Sequence, residues 1–302
     1  MMLGLGLSIP QVAVLGPAWS PAALFSGGVP GFWAGGFDPA RGRMFQTHAG
    51  TVAAVDGLTV GLVLDMSQGA ALGANTAPAS LTAPAWDFIN VSGNAARTAS
   101  TLHFENAIDR NIYRVDTGLI WPAGTAIEIR VTLSGSGPCR LIGISGAGNT
   151  TTLYTPTLTG SPVEYVARLV NHEAGSGLGF GFYGQSATPV DITVHAVSVR
   201  QIAGRHALQA TALSRPTLTL ASGRYHLYDD GNDTLNVTLP AGTYSRAWID
   251  NLGAVTVERG IAISAAENVL RATRICDVLY AQGSLTAGDE VALTAWWQGR
   301  FP

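Results

Sequence analysis

Ala126-Ile-Glu-Ile-Arg-Val-Thr-Leu133 places an apolar side chain at every second position. The same alternation runs through Val163-Glu-Tyr-Val-Ala-Arg-Leu169, Gly179-Phe-Gly-Phe-Tyr183 and Val190-Asp-Ile-Thr-Val-His-Ala-Val-Ser-Val199, with a shorter apolar run at Arg140-Leu-Ile-Gly-Ile144. A period of two with one apolar face is the signature of strands that bury one side. Between them lie Ser134-Gly-Ser-Gly-Pro138, Ala147-Gly-Asn-Thr150 and Thr159-Gly-Ser-Pro162. These read as turns, at a spacing that suits an antiparallel sandwich closed as a jelly roll rather than βαβ units.

Working outward, this β module spans 85–203 and separates two segments of different character. Residues 1–84 are rich in Gly, Ala and Pro, with short apolar clusters at Leu24-Phe25, Phe32-Trp33 and Val60 to Leu64. Such pieces are too short to stand alone and take their order from a neighbour, either the rest of the chain or a docking partner. We assign them to attachment and oligomerisation. Residues 204–302 form a C-terminal β domain, with strands at Thr217 to Ala221, Tyr225 to Tyr228, Thr234 to Leu239, Ser245 to Asn251 and Ala254 to Arg259. Two short helices are expected to close it. The first covers 274–282, with Ile275, Val278 and Leu279 on one face, and the second starts at a capping-box-like pair, Thr286 and Asp289. In that last helix Trp296 is expected to dock on the β domain, leaving Trp297 or Phe301 for a subunit contact. The fold class read from sequence is therefore mainly β.

Composition excludes several functions. Charged residues make up 12% of the 302 and the net charge is −3; the 17 basic residues are all Arg and are scattered singly. No basic stripe exists to release counterions, so nucleic acid is not an expected partner. The apolar start, Met1-Met-Leu-Gly-Leu-Gly-Leu7, has no cation ahead of it and is interrupted by Pro10 and Pro17. It fits neither a signal peptide nor a membrane-spanning helix, and folding in the cytoplasm is expected. The two cysteines, Cys139 and Cys276, lack metal-ligand spacing and read as unpaired core thiols. The six histidines form no His-x-x-x-His pair and no Gly-x-Ser-x-Gly elbow is present. Glu128, Glu164, Glu173, Asp191 and Glu258 could supply a glycosidase pair, but Glu128 and Glu164 alternate with core residues and read as surface carboxylates. No enzyme and no cofactor are expected. A structural calcium ion is considered at Asp229-Asp-Gly-Asn-Asp233 and at Glu105, Asp109 and Asp116; the first reads as a hairpin turn, since the later bidentate Glu of a calcium loop is missing.

Aromatic rings and fixed polar groups in a weakly charged sheet suit a neutral polymer. The candidate carbohydrate-binding residues are Trp121, in a Trp-Pro-Ala-Gly context, Tyr154 and Tyr183, with Arg168, Asn149 and Gln185 as hydrogen-bonding partners. If Phe180 and Phe182 face the core, Tyr183 and Gln185 face out together.

Opening at Trp86-Asp-Phe88, running through Ile127 to Leu133 and closing at Ile192 to Arg200, the module resembles the jelly-roll carbohydrate-binding modules of glycan-degrading enzymes and phage appendages. Leu24-Phe25, Gly31-Phe-Trp33, Asp38-Pro39, Val60-Gly-Leu-Val-Leu-Asp-Met-Ser67, Gly204-Arg-His-Ala-Leu-Gln-Ala-Thr211 and Arg215-Pro216 together resemble virion proteins of tailed phages and gene transfer agents of alphaproteobacteria. In those proteins the Asp-x-Ser stretch runs almost directly into the Gly-x-His stretch, so the module reads as an insertion. The resemblance implies a head spike or tail fibre on the surface of a phage-like particle. Its partners would be capsid or other virion proteins, further copies of itself, and a cell-surface (capsular) polysaccharide, with no membrane insertion. The alternatives are a structural connector or decoration protein without glycan binding, and a capsule depolymerase or its accessory module.

Overall fold

A computed structural model describes residues 19–48, 50, 52–77, 86–89, 95–98, 100–107, 112–120, 125–145, 150–170, 177–184 and 189–301. The first part of the chain contributes β1 (Gly31–Trp33), β2 (Met44–Phe45) and β3 (Leu62–Val63). The inserted part follows with β4 (Leu72–Asn75), β5 (Trp86–Ile89), β6 (Ala95–Arg97), β7 (Leu102–Ala107), β8 (Ile112–Ile120), β9 (Ala126–Ser145), β10 (Thr150–Tyr154), β11 (Thr157–Leu158), β12 (Val163–Val170), β13 (Gly177–Gly184) and β14 (Val190–Ile202). The last part holds β15 (Ala207–Leu208), β16 (Thr217–Ala221), β17 (Arg224–Tyr228), β18 (Asn236–Thr238), β19 (Gly242–Asp250), β20 (Val255–Ile263), β21 (Ala266–Asn268), β22 (Arg274–Gln282) and the helix α1 (Ala287–Arg300).

The two ends of the chain build one domain together. A six-stranded sheet runs β16-β17-β22-β19-β20 with β1 also on β22, and a five-stranded sheet runs β2-β3-β15-β18-β21. Phe32, Met44, Val63, Ala207, Leu227, Val237, Val278 and Tyr280, drawn from both sheets, fill one core between them. Large apolar side chains buried this completely contribute about 1.5–3 kcal/mol each. Of the neighbours the sequence offered the first segment, the rest of its own chain is the one the structure shows: β1 joins the six-stranded sheet, and β2 and β3 the five-stranded one. The short clusters could not bury their faces alone, and they do so across hundreds of residues of chain. Gly31 shows how close the join is, because a Cβ there would stand 2.2 Å from the Tyr280 carbonyl oxygen.

The other face of the six-stranded sheet carries α1. Its start is the expected capping box, with the Thr286 side chain accepting from the Asp289 amide and the Asp289 carboxylate accepting from the Thr286 amide. Leu293 and Trp297, four residues apart on one face, pack with Phe25, Ala247, Ile249 and Leu279. At the centre lies Asp277, fully buried, whose Oδ2 accepts from Trp33 Nε1 at 3.0 Å and Trp297 Nε1 at 2.8 Å. Burial raises the pKa of this carboxyl group, and the two indole N–H groups oppose the rise. Two expectations are corrected here. Residues 274–282 are strand β22, not helix: the strand is central, with Ile275, Val278 and Tyr280 in one core and Cys276, Leu279 and Ala281 in the other, so no clean alternation marks it. Trp297, not Trp296, is the buried anchor, while Trp296 is partly exposed and meets Trp33 edge-on at 5.6 Å.

At the root of the insertion, the two flanking stretches singled out in the sequence close on each other. Asp65 Oδ1 accepts from the amides of Trp33 and Ser67 at 2.9 and 2.8 Å, and Oδ2 accepts from Ser67 Oγ and the Arg205 amide, each at 2.7 Å. The Asp65 amide donates to His206 Nδ1 at 3.0 Å, which leaves the His206 proton on Nε2 to be donated to the Ile202 carbonyl at 3.2 Å. Gly204, with φ +116°, is required because a Cβ would lie 2.6 Å from Asp65 Oδ2. Above this clasp the entering and leaving strands pair, Leu72 opposite Ile202 and Asn75 opposite Arg200.

Burial lowers the His206 pKa to about 4. The unfolded chain takes up a proton below about 6.5 whereas the folded clasp resists it until about pH 4, so His206 should withdraw roughly 3 kcal/mol of stability as pH falls across that window. Asp65 and Asp277, both raised by burial, act in the opposite sense. The check is therefore a difference: urea unfolding of wild type and His206→Gln at pH 7 and pH 4.5, with the wild-type advantage shrinking on acidification. A constant difference would contradict the neutral clasp.

The insertion is an antiparallel sandwich whose two sheets share one strand. Residues 126–133 of β9 lie between β12 and β14, with β14 pairing on to residue 136 and continuing to β7 and β6, whereas residues 139–145 pair with β13 and β10, with β8 and β5 beyond. Ile129, Val131, Leu133, Leu141, Phe182, Ile192 and Val194 fill the core. The expected turn at Ser134-Gly-Ser-Gly-Pro138 is instead the point where β9 crosses between sheets. Gly135 (φ +149°) and Gly137 (φ +78°) permit it, for a Cβ on Gly135 would sit 1.9 Å from the Asp191 carbonyl oxygen. Cys139 and Cys276 are free and buried, and burial raises both thiols to about 12.

Candidate functional site

Because Ile127, Ile129, Val131 and Leu133 point into the sandwich, the residues between them stand on the opposite face of the sheet. Register then assembles three cross-strand rungs. Arg168, Glu128 and Arg200 form one, Val166, Arg130 and Ser198 the next, and Glu164, Thr132 and Ala196 the third. A groove of about 360 Å³ follows these rungs, lined by Arg130, Thr132, Glu164, Ala196, Ser198 and Arg200, with Leu72 of the entering strand also on its wall. An irregularity in β14 between Val194 and Ala196 returns Ala196, Ser198 and Arg200 to this face.

The groove is wired by charge. Glu128 is buried and receives Arg130 Nε at 2.7 Å on one oxygen and Arg168 Nη2 at 2.9 Å on the other. Arg130 reaches on to Glu164 Oε2 at 3.3 Å, and its hydrogen bond to Glu128 raises its pKa further. The Arg130 and Glu164 side chains keep 42% and 53% of their exposure, so both retain hydrogen-bonding capacity toward solvent. Arg200 Nε donates to Ser198 Oγ at 3.3 Å. The result is a held array of donors, acceptors and hydroxyls over a small-residue floor. A polyol can use such an array, because each sugar hydroxyl both gives and receives a hydrogen bond.

The residues expected from sequence are distributed differently. Arg168 is drawn away from the groove: its guanidinium holds Glu128 and lies 5.2 Å from the centre of the Phe45 ring, joining the module to the terminal domain. Tyr154 is half-buried, its hydroxyl donates to the Val166 carbonyl, and its ring tilts against Tyr165 at 5.7 Å, where both pack on the sandwich core. Tyr183 sits on β13 opposite Arg140 in backbone register, and its side chain lies outside the described residues. Trp121, Asn149 and Gln185 also lie outside them. Phe182 does face the core. Glu128, read as a surface carboxylate, is buried and paired, while Glu164 is exposed. Arg130, Thr132, Ser198 and Arg200, which line the groove, were not among the residues expected from sequence, although they are the polar half of the alternation whose apolar half locates the strands.

Among possible metal ligands, the carboxylates of Asp229, Asp230 and Asp233 lie within 4.8 Å of one another. Asp229 Oδ1 accepts from the Gly231 and Asp233 amides and Asp230 Oδ1 from the Asn232 amide, so the loop satisfies its own turn. Glu105 is exposed on β7, Asp109 lies outside the described residues, and of Asp116 only the backbone is described. No helix among the described residues is long and apolar enough to cross a membrane.

No family model and no curated protein matches this chain. Among solved structures it is similar to a protein described as "CBM4 structure and function", with 15% identity, a TM-score of 0.32, and 39% of this chain and 94% of that one covered. It is also similar to a mutant family 29 carbohydrate-binding module complexed with mannohexaose, at 10% identity and a TM-score of 0.34, covering 44% and 92% of the two chains. A third is the N-terminal cellulose-binding domain of Cellulomonas fimi β-1,4-glucanase C, at 15% identity and a TM-score of 0.32, covering 39% and 89%.

Proposed function

We propose that the inserted sandwich binds a polysaccharide along the groove between Arg130 and Arg200, and that the chain serves as a surface appendage of a phage-like particle that adsorbs to a glycan-coated cell. The observation that carries the binding reading is the groove itself, a flat sheet face on which two guanidinium groups, a carboxylate and two hydroxyls are held in register over Ala196. Solvent competes at such a face, so a single site is weak, roughly millimolar to micromolar. Symmetric copies would raise avidity by about 10²–10⁴ if they reach one glycan layer together. The particle assignment is supported by the resemblance of the Asp65-x-Ser67 and Gly204-x-His206 stretches to virion proteins.

Affinity electrophoresis in capsular polysaccharide provides the test. Arg130→Ala combined with Arg200→Ala should reduce retardation of the chain by at least about tenfold in apparent affinity, which corresponds to 1.4 kcal/mol or more. Equal retardation of wild type and double variant would reject the groove.

A further inference from the structure

The domain built from the two chain ends carries a second cleft, of about 450 Å³, whose walls include Arg41, Arg224, Arg300, Tyr225 and Phe301, with Asp38 as the acidic member. Its volume falls within the roughly 300–1,000 Å³ of small-molecule pockets. Three cations against one carboxylate stand out in a chain whose net charge is −3.

The cations are also held together. Arg41 Nη1 and Arg300 Nη2 both reach the carbonyl oxygen of Gly35, at 3.4 and 3.5 Å, so two guanidinium groups meet at one acceptor. Like charges fixed so close repel unless an anion joins them. Asp38 compensates one of the two: its Oδ1 caps the following turn through the Ala40 amide, and its Oδ2 forms an ion pair with Arg41 Nε at 3.7 Å, which leaves Arg300 without a carboxylate from this residue. The Arg300 guanidinium lies 4.7 Å from the centre of the Trp296 ring, a cation–π contact that holds it at the cleft. Gly36, with φ +82°, makes room for Phe301, whose Cζ would be 3.1 Å from a Cβ at that position. On the far wall Ser222 holds φ +52° in the two-residue β16–β17 turn, a left-handed conformation that Asn or Gly adopts more readily. Ser222 and Ala70 are the non-glycine residues with positive φ among those described, and retained strain of this kind clusters at binding sites.

We infer that this cleft binds an acidic sugar, a pyranose ring whose carboxylate is gripped between Arg41 and Arg300 and whose ring lies against Phe301 and Tyr225. A planar carboxylate matches the guanidinium fork. The neighbouring helix end is the C-terminal one, whose carbonyls carry partial negative charge and disfavour a dianionic phosphate. This site is separate from the groove on the inserted module and stands whether or not that groove binds glycan.

Calorimetric titration of the full chain with the trimer of galacturonic acid tests it, alongside the neutral galactose trimer and inorganic sulfate. Binding of the acidic trimer at least tenfold tighter than the neutral one, weakened at least tenfold both in Arg41→Gln and in Arg41→Gln with Arg300→Gln, is the expected result. Binding should also weaken between 50 and 500 mM salt, on the order expected for exposed charges. Arg130→Ala with Arg200→Ala should leave it unchanged. Equal binding of the neutral trimer, displacement by sulfate at matching concentration, no effect of Arg41→Gln, or loss of binding in the module variant would each overturn the assignment.

Discussion

Replacing Asp277 with alanine should lower the unfolding free energy by about 3–5 kcal/mol, the range in which removing one partner strands buried polar groups. The Oδ2 atom serves two indoles at once, one from β1 and one from α1, and Oδ1 accepts the Val278 amide at 2.8 Å. Alanine takes the acceptor from these donors, and from the Gly36 amide, in a space closed to water, and adds a cavity. Asparagine keeps one carbonyl oxygen and should cost less, with the loss falling on whichever donors meet its amide group. Urea titration followed by tryptophan fluorescence measures both. A loss under about 1 kcal/mol for Asp277→Ala would mean that the indoles find other partners and that Asp277 is not the joint between the first strand and the last helix. Because α1 ends at Arg300 and leads directly into Phe301, the same variant should also weaken the arginine-lined cleft.

Gly135→Ala should be comparably damaging, but in the module. The added Cβ would sit 1.9 Å from a backbone oxygen, that of Asp191, so no side-chain rotation relieves it. The chain must move β14 away from β9 or abandon the crossing, and either breaks the strand shared by both sheets. We expect a loss of about 3 kcal/mol or more, seen as early melting of the module with the terminal domain still folded. Hydrogen exchange should then show lost protection from 126 to 145 and from 190 to 202, and retained protection in β19 and β22. An unchanged melting curve would show that β9 does not cross between sheets in solution.

Much of this architecture was legible in the chain. Alternation located β9, β12, β13 and β14, because facing the core or facing water is decided residue by residue within a strand. Local chemistry also marked the Thr286 and Asp289 cap. The errors have physical causes. Residues 274–282 misled because a central strand covered on both sides shows no alternation, and three apolar residues at 275, 278 and 279 fit a helix equally well. Ser134 to Pro138 misled because glycine permits a turn and a sheet crossing alike; what separates them is the nearby Asp191 carbonyl, which belongs to another strand. The candidate sugar ligands were chosen by residue type. Arg168 and Tyr154 were among them, and in the structure Arg168 pairs with Glu128 and the Tyr154 hydroxyl donates to the Val166 carbonyl, partners that residue type does not reveal.

What the sequence determined by itself is the class of structure: a mainly β chain, with one apolar face on the strands of a module set between two flanking segments. These follow from composition and from periodicity over a few residues, which act locally. Only the tertiary structure decided that the first and last segments are one domain, that Asp65 closes on Arg205 and His206, and that polar residues far apart in sequence line a groove and a cleft. Each of these depends on which distant strands pair and in which register, and register is set by the packing of whole sheets against one another rather than by any single stretch of chain.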